Sequence, residues 1–224
     1  MSETLLSVGI LSADLGRLAE ELAWLEEAGA DWIHLDVMDG CFAPPILGDA
    51  ALFKAIRKHT ELPLDVHLMV KDPERKVAQF EGADWITVHA EAGAHLHRAI
   101  AEVKRTGARA GVALNPGTHL SGAIGVAGEV DMVLLLAVDP GFAGARFTPT
   151  VLGKAVKLRE KFAELGIEGV KVGIDGGINL DNAARASALA DVVVSGSAVF
   201  KGDGPGKNIQ AFKAAFGREN REEQ

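Results

Sequence analysis

The sequence predicts a single-domain α/β protein, a closed (β/α)8 barrel of the TIM type that occupies residues 1–216. Eight short apolar runs alternate with helix-like stretches along 224 residues, one run about every 28 residues. The segment Gly-Ala-Asp-Trp-Ile occurs at 29–33 and returns at 82–86, 53 positions later. Strict alternation of buried strands and helices indicates a parallel sheet, and eight units of this length fit a closed barrel. No GxGxxG fingerprint follows the first run, which argues against an open dinucleotide-binding sheet.

The elements follow from this pattern in chain order. The apolar runs predict strands at 5–11, 32–38, 63–69, 85–90, 109–114, 132–138, 170–175 and 192–197. The intervening stretches predict helices at 15–28, 50–58, 74–81, 95–106, 151–165 and 179–188. Each copy of the repeated segment reads as a helix end, a glycine stop and a strand start. The polar residues 217–224 are expected to form a disordered tail.

Composition narrows the class of protein. The chain is 48% hydrophobic and 24% charged, which is typical of a globular domain. A net charge of −8 without a Lys/Arg cluster argues against a nucleic-acid partner. No apolar run approaches the roughly 18 residues of a membrane helix. The single cysteine, Cys41, and a first segment without a basic region predict a cytoplasmic protein.

Four polar residues stand at the ends of apolar runs. Side chains alternate across a strand, so His34 and Asp36 share one face of the second run. His67 occupies the same position in the third run, and Asp175 ends the seventh. Function gathers at the C-terminal strand ends of such barrels. Two imidazoles and two carboxylates suit a borderline divalent cation, so we expect one Zn²⁺, Mn²⁺, Fe²⁺ or Co²⁺ per subunit.

The two carboxylates also suggest a reaction. The second and seventh strands of a closed barrel lie across the mouth from each other, so Asp36 and Asp175 are expected to face opposite sides of a flat substrate. A divalent ion would keep both groups ionised and stabilise an enediolate. If one carboxylate removes a proton and the other returns one to the opposite face, the result is an epimerisation.

Three glycine-rich turns follow the sixth, seventh and eighth runs, at 139–144, 175–179 and 195–198. Glycines let backbone N–H groups approach an anion, and barrels commonly hold a phosphate near the last two strands. The turns therefore predict a phosphate site.

The chain resembles the ribulose-phosphate 3-epimerase family over nearly its whole length. The matching segments are ILSAD (10–14), HLDVMDG (34–40), LDVHLMV (64–70), NPGT (115–118), DPGF (139–142), DGG (175–177) and GS (196–197). The resemblance implies a (β/α)8 enzyme that interconverts D-ribulose 5-phosphate and D-xylulose 5-phosphate with a divalent metal. It implies a homo-oligomer and a small-molecule ketose phosphate as the substrate.

Residue roles carry over position by position. The resemblance makes His34, Asp36, His67 and Asp175 the metal ligands, with Asp36 and Asp175 as the acid/base pair. The substrate- and phosphate-binding residues would be His67, Gly141, Phe142, Ala143, Gly144, Gly176, Gly177, Gly196 and Ser197. The lining of the site would comprise Gly9, Met38, Met69 and Leu136.

Several positions depart from the family pattern. Gly9 stands in place of a serine, Leu136 in place of a methionine, and 143–146 in place of Gly-Gly-Gln-Lys. The loop at 41–47 also differs and is one residue shorter. Losing a hydroxyl at position 9 would remove a hydrogen bond worth about 0.5–1.5 kcal/mol. The preferred sugar could therefore be another ketose phosphate, such as a hexulose 6-phosphate of the allulose type.

Other readings remain open on the residues alone. A phosphate-barrel decarboxylase would carry an Asp-x-Lys-x-x-Asp array on its third strand, where this chain has Asp65-Val66-His67. The missing lysine argues against that reading. A sugar-phosphate-binding barrel without turnover is opposed by the intact carboxylate pair.

Overall fold

The computed structural model describes residues 3–142 and 144–216. Eight parallel strands close into a barrel: β1 (Leu5–Gly9), β2 (Trp32–Asp39), β4 (Leu64–Met69), β5 (Trp85–His89), β6 (Arg109–Leu114), β7 (Met132–Leu136), β8 (Lys171–Asp175) and β9 (Val192–Ser195). A short strand, β3 (Ile46–Leu47), pairs antiparallel with the end of β2. The predicted (β/α)8 fold is confirmed. The predicted disordered tail at 217–224 lies outside the described residues.

Closure follows from the strand order β1-β9-β8-β7-β6-β5-β4-β2, together with the pairing of β1 with β2. All neighbours around the ring are parallel. The carboxyl ends of all eight strands therefore open on the same side.

The helices cover the outside of the barrel. They are α1 (Leu18–Ala28), α2 (Ala50–His59), α3 (Leu96–Arg105), α4 (Ser121–Ile124), α5 (Thr150–Leu165), α6 (Ala183–Ser187), α7 (Ser197–Phe200) and α8 (Pro205–Ala215). The helix predicted at 74–81 is wrong, because the chain forms two 3₁₀ segments there, Pro73–Arg75 and Val77–Phe80. Only Val77 and Phe80 are buried in the second segment, and a spacing of three residues matches the 3₁₀ turn.

Apolar side chains stabilise the barrel both outside and inside the ring of strands. The larger cluster fills the space between the strands and the helices. A smaller cluster inside the barrel comprises Trp32, Trp85, Met132 and Val192, all near the strand N-termini. The indole rings of Trp32 and Trp85 stack with centroids 4.9 Å apart. This floor fills the lower end of the barrel, so the open end is the one at the strand C-termini.

In the described part of the chain, no helix combines the length and the apolar character needed to cross a membrane.

Candidate active site

The register of β2 and β4 brings four polar residues together at the barrel mouth. Asp36 is the direct neighbour of His67 across the two strands, and Asp175 ends β8 on another side of the mouth. His34 lies one inward-facing position below Asp36 on β2. One nitrogen or oxygen of each of these four residues lies within 4.8 Å of all the others. Asp36 Oδ1 is 3.1 Å from His34 Nε2 and 2.9 Å from His67 Nδ1, and Asp175 Oδ2 is 3.7 Å from the same His67 nitrogen.

Burial differs between the imidazoles and the carboxylates. The side chains of His34 and His67 are fully buried, whereas 27% of the Asp36 side chain and 15% of the Asp175 side chain remain exposed. The two carboxylates therefore form the accessible surface of the cluster, and the two rings support it from below.

The carboxylates experience opposite electrostatic surroundings. Burial alone would raise the pKa of Asp36, but the adjacent His34 and His67 hold it well below its usual range. Burial, reinforced by the charge of Asp36, raises the pKa of Asp175 to about 6. Burial opposes charge on His34, yet Asp65 and Asp36 raise its pKa well above the ordinary value.

The donor set fits a divalent cation. Two imidazole nitrogens and two carboxylate oxygens form a ligand set that suits zinc and other first-row divalent metals. Burial and, after it, the charge of Asp36 make it costly to ionise Asp175 beside Asp36, which raises the pKa of Asp175. A positive charge between them would remove that cost.

A further ring of polar groups holds the cluster. His34 Nδ1 donates to Asp65 Oδ2 at 2.7 Å, which leaves its Nε2 toward the cluster. On the other side, His67 Nε2 lies 2.8 Å from His89 Nε2, and His89 Nδ1 lies 3.1 Å from Glu91 Oε2. Sequence reasoning assigned no role to Asp65. The signal was present in the alternation of β4, where Asp65 faces inward with His67.

A cavity of about 840 Å³ lies above the cluster. Asp36 and Asp175 line it, together with the apolar side chains of Met38, Met69 and Leu136. Most residues predicted to bind substrate also line it: Gly141, Phe142, Gly144, Gly176, Gly177, Gly196 and Ser197. His67, predicted for the same set, is fully buried and does not line the cavity, and Ala143 lies outside the described residues.

The glycine turns require glycine for steric reasons. Gly176 has φ +104°, and a Cβ there would lie 2.6 Å from Val138 Cγ2. Gly177 has φ +65°, and a Cβ there would lie 2.7 Å from the backbone nitrogen of Phe147. Both features allow the backbone to follow the wall of the cavity closely.

Gly9 has a different position from the one expected. It is absent from the described residues that line the cavity, and it packs against the turn that follows β9. A Cβ at position 9 would lie 3.1 Å from Gly196 Cα. The missing side chain therefore lets the turn at Gly196 approach the end of β1.

Fold and site together define a (β/α)8-barrel protein that carries, at the barrel mouth, a candidate divalent-metal site of two histidines and two aspartates. Comparison with known protein families identifies the family of this chain. The model of the ribulose-phosphate 3 epimerase family matches residues 5–200. The chain belongs to this family.

Individual relatives agree. The chain is 43% identical to the chloroplastic ribulose-5-phosphate-3-epimerase of Arabidopsis thaliana, over 96% of this chain and 78% of that protein. It is 44% identical to ribulose-phosphate 3-epimerase of Bacillus subtilis, over 85% of this chain and 89% of that protein. Among solved structures, 3-hexulose-6-phosphate synthase from Salmonella typhimurium superposes with a TM-score of 0.67 at 17% identity, covering 95% of this chain and 98% of that one. The last likeness shows the fold alone.

Proposed function

We propose that this protein is a metal-dependent ketose-phosphate 3-epimerase that interconverts D-ribulose 5-phosphate and D-xylulose 5-phosphate. Membership of the family makes the chain an isomerase of the epimerase class. The observation that carries the proposal is the placement of Asp36 and Asp175, which share one cluster, come from separate strands, and both open into the cavity.

The cluster suggests which residues bind the metal and which transfer protons. His34, Asp36, His67 and Asp175 would hold one divalent ion, for which Zn²⁺, Mn²⁺, Fe²⁺ and Co²⁺ are all suitable. When bound, such an ion supplies positive charge that polarises a carbonyl and stabilises negative charge on its oxygen. The imidazoles are fully buried and do not reach the cavity, so the proton-transfer role falls to the carboxylates.

The proton transfer uses the two carboxylates in turn. One carboxylate takes the proton from C3 of the ketose phosphate, and the resulting enediolate is planar at that carbon. The carboxyl group on the other side then gives a proton to the opposite face, so the configuration at C3 inverts and no atom is gained or lost. Met38, Met69 and Leu136 line the cavity beside the pair and would exclude water from the planar intermediate.

The other end of the cavity suits the phosphate. The turns at Gly176, Gly177, Gly196 and Ser197 line it, and backbone N–H groups in such turns bind anions without a counter-charge. A hexulose 6-phosphate is a second candidate substrate, since a cavity of about 840 Å³ leaves room for another carbon.

The test is proton NMR of candidate sugars in D₂O with metal-loaded protein. We expect deuterium to enter at C3 of D-ribulose 5-phosphate while the xylulose epimer forms. A parallel sample with a hexulose 6-phosphate ranks the two sugars. Absence of exchange with both sugars, despite bound metal, would contradict the proposal.

Substitution of one base provides the sharper experiment. Asp175→Asn should abolish net epimerisation, because only one face of the intermediate retains an acid or base. Residual exchange of the C3 proton of one epimer would identify Asp36 as the base on the other face. Full turnover by this variant with metal still bound would rule out the two-base mechanism.

The native ion and the homo-oligomeric state remain predictions. Elemental analysis of the purified protein identifies the ion, and light scattering measures the number of subunits.

A further inference from the structure

His67 makes contacts from both of its ring nitrogens. Its Nδ1 faces the metal cluster, 2.9 Å from Asp36 Oδ1, and its Nε2 lies 2.8 Å from the Nε2 of His89. The ring centroids lie 4.9 Å apart with 24° between the ring planes, and both rings are buried. Two ring nitrogens at this distance form a hydrogen bond only when one carries a hydrogen and the other does not. The direction of that bond decides which nitrogen of His67 is free to bind a metal.

Glu91 determines the direction. Its Oε2 lies 3.1 Å from His89 Nδ1, while its Oε1 accepts the backbone N–H of Asn115 at 2.8 Å. A carboxylate only accepts, so the hydrogen in the first of these bonds belongs to His89 Nδ1. His89 Nε2 then presents a lone pair, and His67 donates to it from Nε2. By the same rule the Nδ1 of His67 carries a hydrogen toward Asp36 Oδ1, 2.9 Å away, while no metal is bound, and a cation would replace that hydrogen.

We propose that Glu91 and His89 are positioning residues that fix His67 as the Nε2–H tautomer and so present its Nδ1 lone pair to the metal. The inference rests on the proposed function in taking His67 as a metal ligand. It also predicts that the two imidazoles of the site bind through different atoms. Asp65 takes the Nδ1 hydrogen of His34, which leaves Nε2 as the ligand atom there.

Neighbouring groups hold Glu91 and His89 in place. The ring of Phe42, in the loop after β2, lies 4.7 Å from the ring of His89 and covers it. The backbone N–H of Phe42 is itself held by Asp39 Oδ1 at 3.0 Å. Thr118 also donates a side-chain hydrogen bond to the Glu91 carboxylate, which helps to hold this acceptor in place.

The first test reads the tautomers directly in zinc-loaded protein. In nitrogen NMR of protein with ¹⁵N-labelled histidine, His67 should show a protonated Nε2 and an unprotonated Nδ1. His89 should show the reverse. A hydrogen on Nδ1 of His67 would overturn the proposal.

The second test changes the acceptor. In Glu91→Gln the single amide oxygen must serve the fixed N–H of Asn115, so the NH₂ group faces His89. His89 would then carry its hydrogen on Nε2 and force the hydrogen of His67 onto Nδ1. We expect both tautomers to reverse and the metal dissociation constant, measured by competition with a chelator, to rise about 10- to 100-fold. Glu81→Gln, an exposed position before β5, is the matched control and should leave both readouts unchanged.

A pair of variants at position 89 separates positioning from packing. His89→Leu keeps apolar bulk but offers His67 no acceptor, and we expect it to weaken metal binding by a similar factor. His89→Gln keeps an acceptor oxygen and should recover most of the affinity. Equal affinities of the two variants, with unfolding curves that show both are folded, would overturn the proposal.

These readouts do not depend on sugar turnover. Wild-type protein could show the expected tautomers and normal metal binding but no exchange of any sugar. That result would contradict the proposed function and support the positioning role of Glu91 and His89.

Discussion

At the scale of single residues, Asp36 and Asp175 show how neighbours decide what a carboxyl group does. Both are aspartates at a strand end, yet the pKa of Asp36 is held low by two imidazoles and that of Asp175 is raised to about 6 by burial and by Asp36. In the absence of metal and below about pH 6, Asp175 therefore carries a proton while Asp36 is ionised. A reaction that needs one base and one acid suits such a pair.

The raised pKa of Asp175 predicts a pH-dependent stability in metal-free protein. Its native-state pKa exceeds that of an unfolded aspartate, so its contribution to stability is fully present below about pH 4 and is lost as pH rises through about 6. Asp175→Asn removes this titration. Between pH 4 and pH 7, wild type should therefore lose on the order of 1–3 kcal/mol of unfolding free energy relative to the variant.

Urea denaturation in the presence of a chelator measures this difference. Asp203→Asn, at a largely exposed position, is the control and should follow wild type across the range. A gap between wild type and Asp175→Asn that does not change with pH would contradict the assigned cause.

At the scale of elements, the end of β2 is shaped by the chain that returns beside it. The strand β3 pairs with Met38 and Asp39, and Gly48 follows directly after it. Gly48 has φ +64°, and a Cβ there would overlap the carbonyl oxygen of Asp36. The backbone of a predicted metal ligand is thus packed against a glycine that neither motif nor periodicity singled out.

Gly48→Ala should therefore be costly in two ways. The left-handed backbone conformation costs about 1 kcal/mol for a non-glycine residue, and the clash with Asp36 adds about 1–3 kcal/mol. Gly29→Ala is the matched control, because Gly29 has φ +86° but nothing within 4 Å of the added Cβ. Thermal unfolding of both variants isolates the clash, and chelator competition should show weaker metal binding in Gly48→Ala alone. Equal losses in the two variants would show that the contact with Asp36 has no effect.

At the scale of the whole molecule, the barrel has a closed apolar end and an open polar end. The stacked indoles of Trp32 and Trp85 fill the lower end, while buried charge collects at the mouth. The mouth therefore carries an electrostatic cost in the folded state that a bound cation would remove.

Metal removal should accordingly destabilise the entire fold. A ligand that binds only the native state, at 100 times its dissociation constant, adds about 2.7 kcal/mol to the unfolding free energy. We expect that order of loss on chelation, measured by calorimetry or denaturant titration, and recovery when Zn²⁺, Mn²⁺ or Co²⁺ is restored. The Asp36→Asn protein, which lacks one member of the cluster, should show a much smaller response. Identical unfolding with and without metal would argue against an ion at this site.

Much of this organisation was predictable from local patterns. The apolar runs gave strands that begin and end within a few residues of those observed, because a strand buried on both faces must be apolar along its length. The alternation of His34 and Asp36 placed both on the inward face, since side chains alternate strictly across a strand. The segment at 74–81 failed because its composition allows either helix type, and only the packing of Val77 and Phe80 selected 3₁₀ turns.

The sequence by itself determined the barrel, the inward face of β2 and β4 and the identity of the four residues in the cluster, because these depend on periodicity and residue chemistry along the chain. Only the tertiary structure decided which groups meet across strands: Asp65 with His34, His89 with His67, Gly48 with Asp36, and Gly9 with Gly196. These contacts join residues 22 or more positions apart in every pair except Gly48 with Asp36, where the chain must turn back on itself. The strand register and the loop paths set such contacts, and neither is written in local sequence patterns.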